Sequence, residues 1–138
     1  MTNNPNYLTF DFILSRREQK PSPSRKKTFF EEVKKLIHQN MADERFDAAA
    51  LATKMYISSS QLNRKLNATT QFTAGVLIRE YRMSYAATLV LNDAYSIGEI
   101  AYKVGYSCPT NFSRSFKQRF GCSPKDFVIQ KNKMRENE

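Results

Sequence analysis

From residue 28 onward the apolar residues recur at helical spacing. Phe29, Phe30, Val33, Leu36 and Ile37 fall on one face, with Glu31, Glu32, Lys34 and Lys35 off it. The two acids sit in the first turn, where the helix dipole favours negative charge. Asp47 is an N-cap candidate for a second helix over 47–54, which turns Ala48, Leu51 and Ala52 inward. Met55 and Ile57 bracket the turn that follows. Ser58 then caps a third helix to about residue 67, with Leu62 and Leu66 four apart. Thr73 caps a long helix that runs to Asn92, whose inward candidates include Leu77, Tyr81, Ala86, Leu89 and Val90.

The second half repeats the pattern. Ser96-Ile97-Gly98-Glu99 has the capping-box spacing, and Ile97, Ile100, Ala101 and Val104 form an apolar stripe behind it. Gly105 supplies the left-handed residue that ends this short helix. Pro109 is tolerated in the first turn of the next helix, over 109–120, where Phe112, Phe116 and Phe120 recur every four residues and Gly121 stops the run. Ser123-Pro124-Lys125-Asp126 opens a last short helix with both a capping box and a first-turn proline. No strand pattern occurs after residue 28. The spacing therefore predicts an all-α domain of about seven helices, with two helix-turn-helix units, at about 47–67 and 97–120, joined by a long helix. Leu51-Ala52 corresponds to Ile100-Ala101, and Leu62-Asn63-Arg64 to Phe112-Ser113-Arg114, so one supersecondary unit is present twice.

Residues 1–27 differ. Leu8, Phe10, Phe12 and Leu14 alternate weakly, and a Pro-, Ser- and Lys/Arg-rich stretch from Arg16 to Lys27 reads as a linker or basic arm. The expected organisation is a tail over 1–27, a domain over 28–127 and a C-terminal tail over 128–138. The chain of 138 residues has a formal net charge of +9, which favours an anionic partner, nucleic acid or a membrane surface. No apolar run approaches the roughly 18 residues of a membrane span. No metal site and no cofactor are expected: there is one histidine, His38, and Cys108 and Cys122 read as reduced thiols of a cytosolic protein rather than zinc ligands. Gly-rich phosphate loops, Ser/His/Asp sets and usefully spaced carboxylate pairs are missing, so an enzyme is the weakest reading.

Each second helix of the two units carries a polar stripe beside its apolar one. In the first, Ser59, Ser60, Asn63 and Arg64 are expected opposite Leu62 and Leu66. In the second, Thr110, Asn111, Ser113, Arg114 and Lys117 lie off the phenylalanine stripe. Arg can grip guanine through two hydrogen bonds, Asn adenine, and Ser or Thr either. The long helix gives a length match. Twenty residues, 73–92, span about 30 Å, against about 34 Å between successive major-groove faces on one side of B-DNA.

The run Ile97-Gly98-Glu99-Ile100-Ala101-Tyr102-Lys103-Val104-Gly105-Tyr106-Ser107 resembles the signature of AraC/XylS-type transcription regulators. So does its continuation, Asn111-Phe112-Ser113-Arg114-Ser115-Phe116-Lys117-Gln118-Arg119-Phe120-Gly121-Cys122-Ser123-Pro124. Ser58 to Leu66 and Tyr81-Arg82-Met83 look like that family's first unit and linker helix. The resemblance covers roughly 28–127. It implies a bipartite domain that reads double-stranded DNA, with RNA polymerase as a further candidate partner, no membrane and no small-molecule site in this chain. By position in the motif, the base-facing sites fall on Ser60, Asn63 and Arg64, then on Thr110, Asn111 and Arg114; Ser58, Ser107 and Lys117 look like phosphate-side positions. The implied role is either the output domain of a larger regulator, such as a hybrid two-component sensor, or a short stand-alone member. A helical RNA-binding or protein-adaptor domain is the alternative. Two departures stand out. Gln71 occupies a position where the family has Gly, which predicts a different turn. Phe127-Val128 replaces an aromatic–arginine ending, which places the end of the last helix in question.

Overall fold

The computed structural model describes residues 28–136, and the expected N-terminal tail lies outside the described residues. Seven helices and no strand occur among them: α1 Phe29–Asn40, α2 Ala48–Lys54, α3 Ser59–Thr70, α4 Ala74–Asn92, α5 Ile97–Lys103, α6 Pro109–Phe120 and α7 Pro124–Glu136. The periodicity located all but the end of the last helix to within a few residues, because most of the apolar positions it picked are buried. Leu62 and Leu66 of α3, and Phe112 and Phe116 of α6, are fully buried.

The caps are local and follow from residue type. Asp47 accepts from the Ala50 amide at 2.9 Å. Ser58 with Gln61, and Ser96 with Glu99, close reciprocal capping boxes. Thr28 and Glu31 do the same at α1, with bonds of 3.1 and 2.9 Å. Ser123 Oγ accepts from the Asp126 amide at 3.2 Å, but Asp126, a methylene shorter than Glu, makes no return bond.

The chain forms two compact units. The first holds α1, α2, α3 and residues 74–80 of α4, around Phe30, Val33, Ile37, Phe46, Leu51, Leu62, Leu66 and Leu77. The second holds Met41–Arg45, residues 81–92 of α4, and α5, α6 and α7. Its core is the aromatic row of α6. The Phe116 ring centroid lies 5.9 Å from that of Phe112, 4.6 Å from Phe120 and 5.3 Å from Phe127. The helix α4 has no single apolar stripe. Ala74, Leu77 and Ile78 are buried in its first turns, and Met83, Ala86, Ala87, Leu89 and Val90 in its later ones. Each turn serves the unit to which it belongs.

Two expectations are corrected. The last helix does not stop near Phe127 and residues 128–136 are not a tail, because α7 continues to Glu136. Val128-Ile129-Gln130-Lys131 contains no stop residue, Lys133 and Arg135 suit the negative end of the dipole, and Lys131 Nζ lies 5.5 Å from the centre of the Phe127 ring. The turn at Gln71 does not differ either. Gln71 takes the left-handed conformation itself, at φ 66°, as Gly121 does at the equivalent place with φ 84°. Its amide bonds to the Asn67 carbonyl at 3.3 Å, and Gly121 bonds to Lys117 in the same way at 2.8 Å. Left-handed strain of about 1–2 kcal/mol outweighs the entropy cost of glycine, about 0.5–1 kcal/mol. Gln71→Gly is therefore expected to raise stability by roughly 0.5–1 kcal/mol, read as a higher melting temperature. An unchanged or lower one would contradict this account of the turn.

Candidate nucleic-acid interface

On α3 the outward face carries Ser60 and Arg64, both exposed, one turn apart. Ser59 is exposed at the first position of the helix. Ser58 is exposed too, but its amide and hydroxyl both bond to Gln61, so its own polar groups are spent on the cap. Asn63 does not join the outward row. It is half-buried, and its Oδ1 accepts from the Ala74 amide at 2.9 Å, at the start of α4. Only its amide nitrogen is left for a base. The bond spans eleven residues and resembles a cap lent by another helix. Asn63→Ala is expected to cost about 1 kcal/mol of stability while leaving the salt dependence of DNA binding unchanged. Denaturant unfolding and a salt titration check the two halves; a stability loss under a few tenths of a kcal/mol would remove the structural role.

On α6, Thr110, Asn111, Arg114 and Lys117 are all exposed. Arg114 Nη1 donates to Asn111 Oδ1 at 3.2 Å, which joins the two side chains on one turn. Ser113 occupies the place equivalent to Asn63 and is half-buried beside the phenylalanine row. Gln118 is exposed on the same face as Asn111 and Arg114. The i, i+3, i+7 spacing of these three was the signal that marks it as part of the row. Arg119 leaves this face, its guanidinium lying 5.0 Å from the centre of the Phe120 ring. No acid stands on the outward side of either α3 or α6.

The start of α6 is one residue later than a serine cap would put it. Pro109 is the first helical residue, so Cys108 is the N-cap and Ser107 precedes the cap, exposed. The neutral thiol closes no cap bond. The amides of Asn111 and Thr110 beside it nevertheless hold the Cys108 thiol below its ordinary pKa. Burial pushes the Cys122 thiol the other way, upward. Among the described residues no group of histidine, cysteine and carboxylate side chains could hold a metal.

The residues before α6 are held by backbone contacts. Gly105 ends α5 at φ 90°, and the Tyr106 amide bonds back to the Ala101 carbonyl at 2.8 Å. Arg82 reaches from α4 to the Met41 carbonyl at 3.1 Å through Nε and to the Asp43 carbonyl at 2.9 Å through Nη2. An open cleft of about 500 Å³ lies between 42–45 and Tyr102, Gly105, Tyr106 and Ser107. Its walls are mostly exposed and evenly mixed in polarity, unlike the apolar enclosure typical of a small-molecule pocket.

A family model described as "Helix-turn-helix domain" matches residues 51–129, more than half of the chain, and spans both α3 and α6. The chain belongs to the AraC/XylS-type helix-turn-helix family. Among curated relatives of this AraC-type domain, the Msm operon regulatory protein of Streptococcus mutans is 34% identical over 127 residues, 91% of this chain and 45% of that protein. Histidine kinase P4 of Formosa agariphila is 34% identical over 93 residues, 67% of this chain and 7% of that protein. The chain thus spans less than half the length of either. The C-terminal domain of AraT, a response regulator from Geobacillus stearothermophilus, superposes with a TM-score of 0.70 at 26% identity, over 78% of this chain and 88% of that one. The all-α architecture with two helix-turn-helix units is that of the AraC-type domains.

Proposed function

We propose that this AraC-type domain reads two segments of double-stranded DNA, with α3 and α6 as the recognition helices, and serves as the output domain of a transcription regulator. One observation carries the reading: α6 buries Phe112, Phe116 and Phe120 and turns Thr110, Asn111, Arg114 and Lys117 outward with no acid among them. Such a face suits base edges and phosphates. The same burial removes the rings of α6 as stacking platforms for single-stranded RNA. The role is binding rather than catalysis. Relatives and structural neighbours that carry such a domain within two-component proteins support an output function downstream of a sensor. A regulator of this kind works in the cytoplasm, on the chromosome, and acts on RNA polymerase once bound.

In-vitro selection from random duplexes, followed by binding at two salt concentrations, tests the proposal. A bipartite motif is expected. Arg114→Ala should cost about 1–3 kcal/mol on the selected site and relax one position. Lys117→Ala should weaken all sequences alike and reduce the salt slope by about one. Equal losses on selected and random DNA for Arg114→Ala would refute base reading and favour a nonspecific basic or adaptor domain.

A further inference from the structure

Arginine has no hydrogen-bond acceptor, so a guanidinium can meet an asparagine carboxamide only through its oxygen. The 3.2 Å bond from Arg114 Nη1 to Asn111 Oδ1 therefore fixes which end of Asn111 points away. Its NH2 group, with two donors, is left outward, and the oxygen is occupied. The guanidinium fork keeps its other N–H groups. With the Asn111 oxygen turned toward the guanidinium, the pair presents mainly donors outward. We propose that Asn111 and Arg114 act as one donor-presenting reading unit that selects keto bases, guanine or thymine, at two neighbouring positions of the α6 half-site, and rejects adenine and cytosine there. This rests on the DNA-reading function proposed above and names the sequence class that function takes.

The reason lies in the major-groove edges. Guanine offers two acceptors, O6 and N7, and thymine offers O4. Adenine sets an amino donor beside N7, and cytosine presents an amino donor. A donor placed against an amino group leaves both unsatisfied in a desolvated contact. Asparagine by itself would favour adenine, giving an N–H to N7 and taking one from N6 through its oxygen. The bond to Arg114 ties that oxygen to the guanidinium, so accepting from N6 as well means sharing or breaking that bond. Thr110 does not restore the preference, because a hydroxyl both donates and accepts. The first unit shows a parallel economy, for the oxygen of Asn63 is held by the Ala74 amide. On the two polar rows, the oxygens of Asn63 and Asn111 are thus both engaged within the domain.

Selection with the 138-residue chain, its Arg114→Ala variant and its Asn111→Ala variant tests this. Both side chains are exposed, and melting curves establish that the variants fold. The unsubstituted chain is expected to enrich guanine or thymine at two adjacent positions of one box, and placing adenine there should lower affinity about tenfold. Arg114→Ala releases the Asn111 oxygen, so adenine should become the preferred base at one of the two positions. Asn111→Ala should keep the guanine and lose the selection beside it. Adenine enriched by the unsubstituted chain, and lost in Asn111→Ala, would overturn the donor-presenting unit while leaving DNA reading intact. So would an Arg114→Ala variant that binds more weakly without changing its neighbouring base. No motif at all would overturn DNA reading, and the reading unit with it, which is a separate outcome.

Discussion

Phe116→Ala is expected to cost about 3–5 kcal/mol, the range for truncating a fully buried aromatic side chain. Phe116 is 0% exposed, and its ring is bounded by those of Phe112, Phe120 and Phe127. Three of the four rings stand on α6 and the fourth on α7, so the void would open between the recognition helix and its support. A domain of this size has a total stability of about 5–15 kcal/mol. The variant should therefore lose a large share of its cooperative unfolding transition, and the α6 half-site should lose its protection before the rest of the operator. Urea unfolding followed by circular dichroism, with footprinting of both boxes, measures both. A loss below about 1 kcal/mol would mean that the rings are not the core of the second unit. It would also reopen the possibility that they stack on bases.

Gly105→Ala should cost about 3 kcal/mol for a different reason. Gly105 holds φ 90°, where an L side chain adds about 1–2 kcal/mol of backbone strain. A Cβ there would also meet the Met41 carbonyl oxygen and stand 2.7 Å from Arg82 Nε. The carbonyl belongs to the backbone and is itself bonded to Arg82, so it cannot swing aside cheaply. Overpacking of this kind adds about 1–3 kcal/mol. A fall in melting temperature of about 10 °C or more is expected. Tyr56 provides the internal control. It occupies the equivalent turn of the first unit at φ 61° and is 94% exposed, so a side chain there meets solvent. Tyr56→Ala keeps the strain and should change the melting temperature little. If Gly105→Ala proved equally mild, the contact with Met41 and Arg82 would not be what requires glycine.

The comparison of these two turns shows what could be read along the chain. That Gly105 ends α5 was legible, since a glycine after an apolar stripe supplies the left-handed residue. That the first unit makes the same turn with a tyrosine was not, because strain of about 1–2 kcal/mol is too small to forbid it where the side chain is free. The cost of a side chain at Gly105 depends on a carbonyl more than sixty positions earlier, and no local pattern reports that. The length of α7 was legible in principle, since helix-forming residues continue past Phe127, but the family ending hid it.

The candidate interface divides along the same line. The sequence by itself determined the helices, their caps, the repeated unit and the outward face of α6. These follow from side-chain period and from donors and acceptors three or four residues apart. Only the tertiary structure decided which polar groups on those faces are still available. Asn63 lies on the polar stripe that the sequence assigns to α3, yet its oxygen belongs to the Ala74 amide. Arg82 lies on the linker helix, yet it holds carbonyls about forty residues away. Hydrogen-bond capacity is consumed by whatever packing brings within about 3 Å, and that distance is set by the fold as a whole rather than by neighbours in the chain.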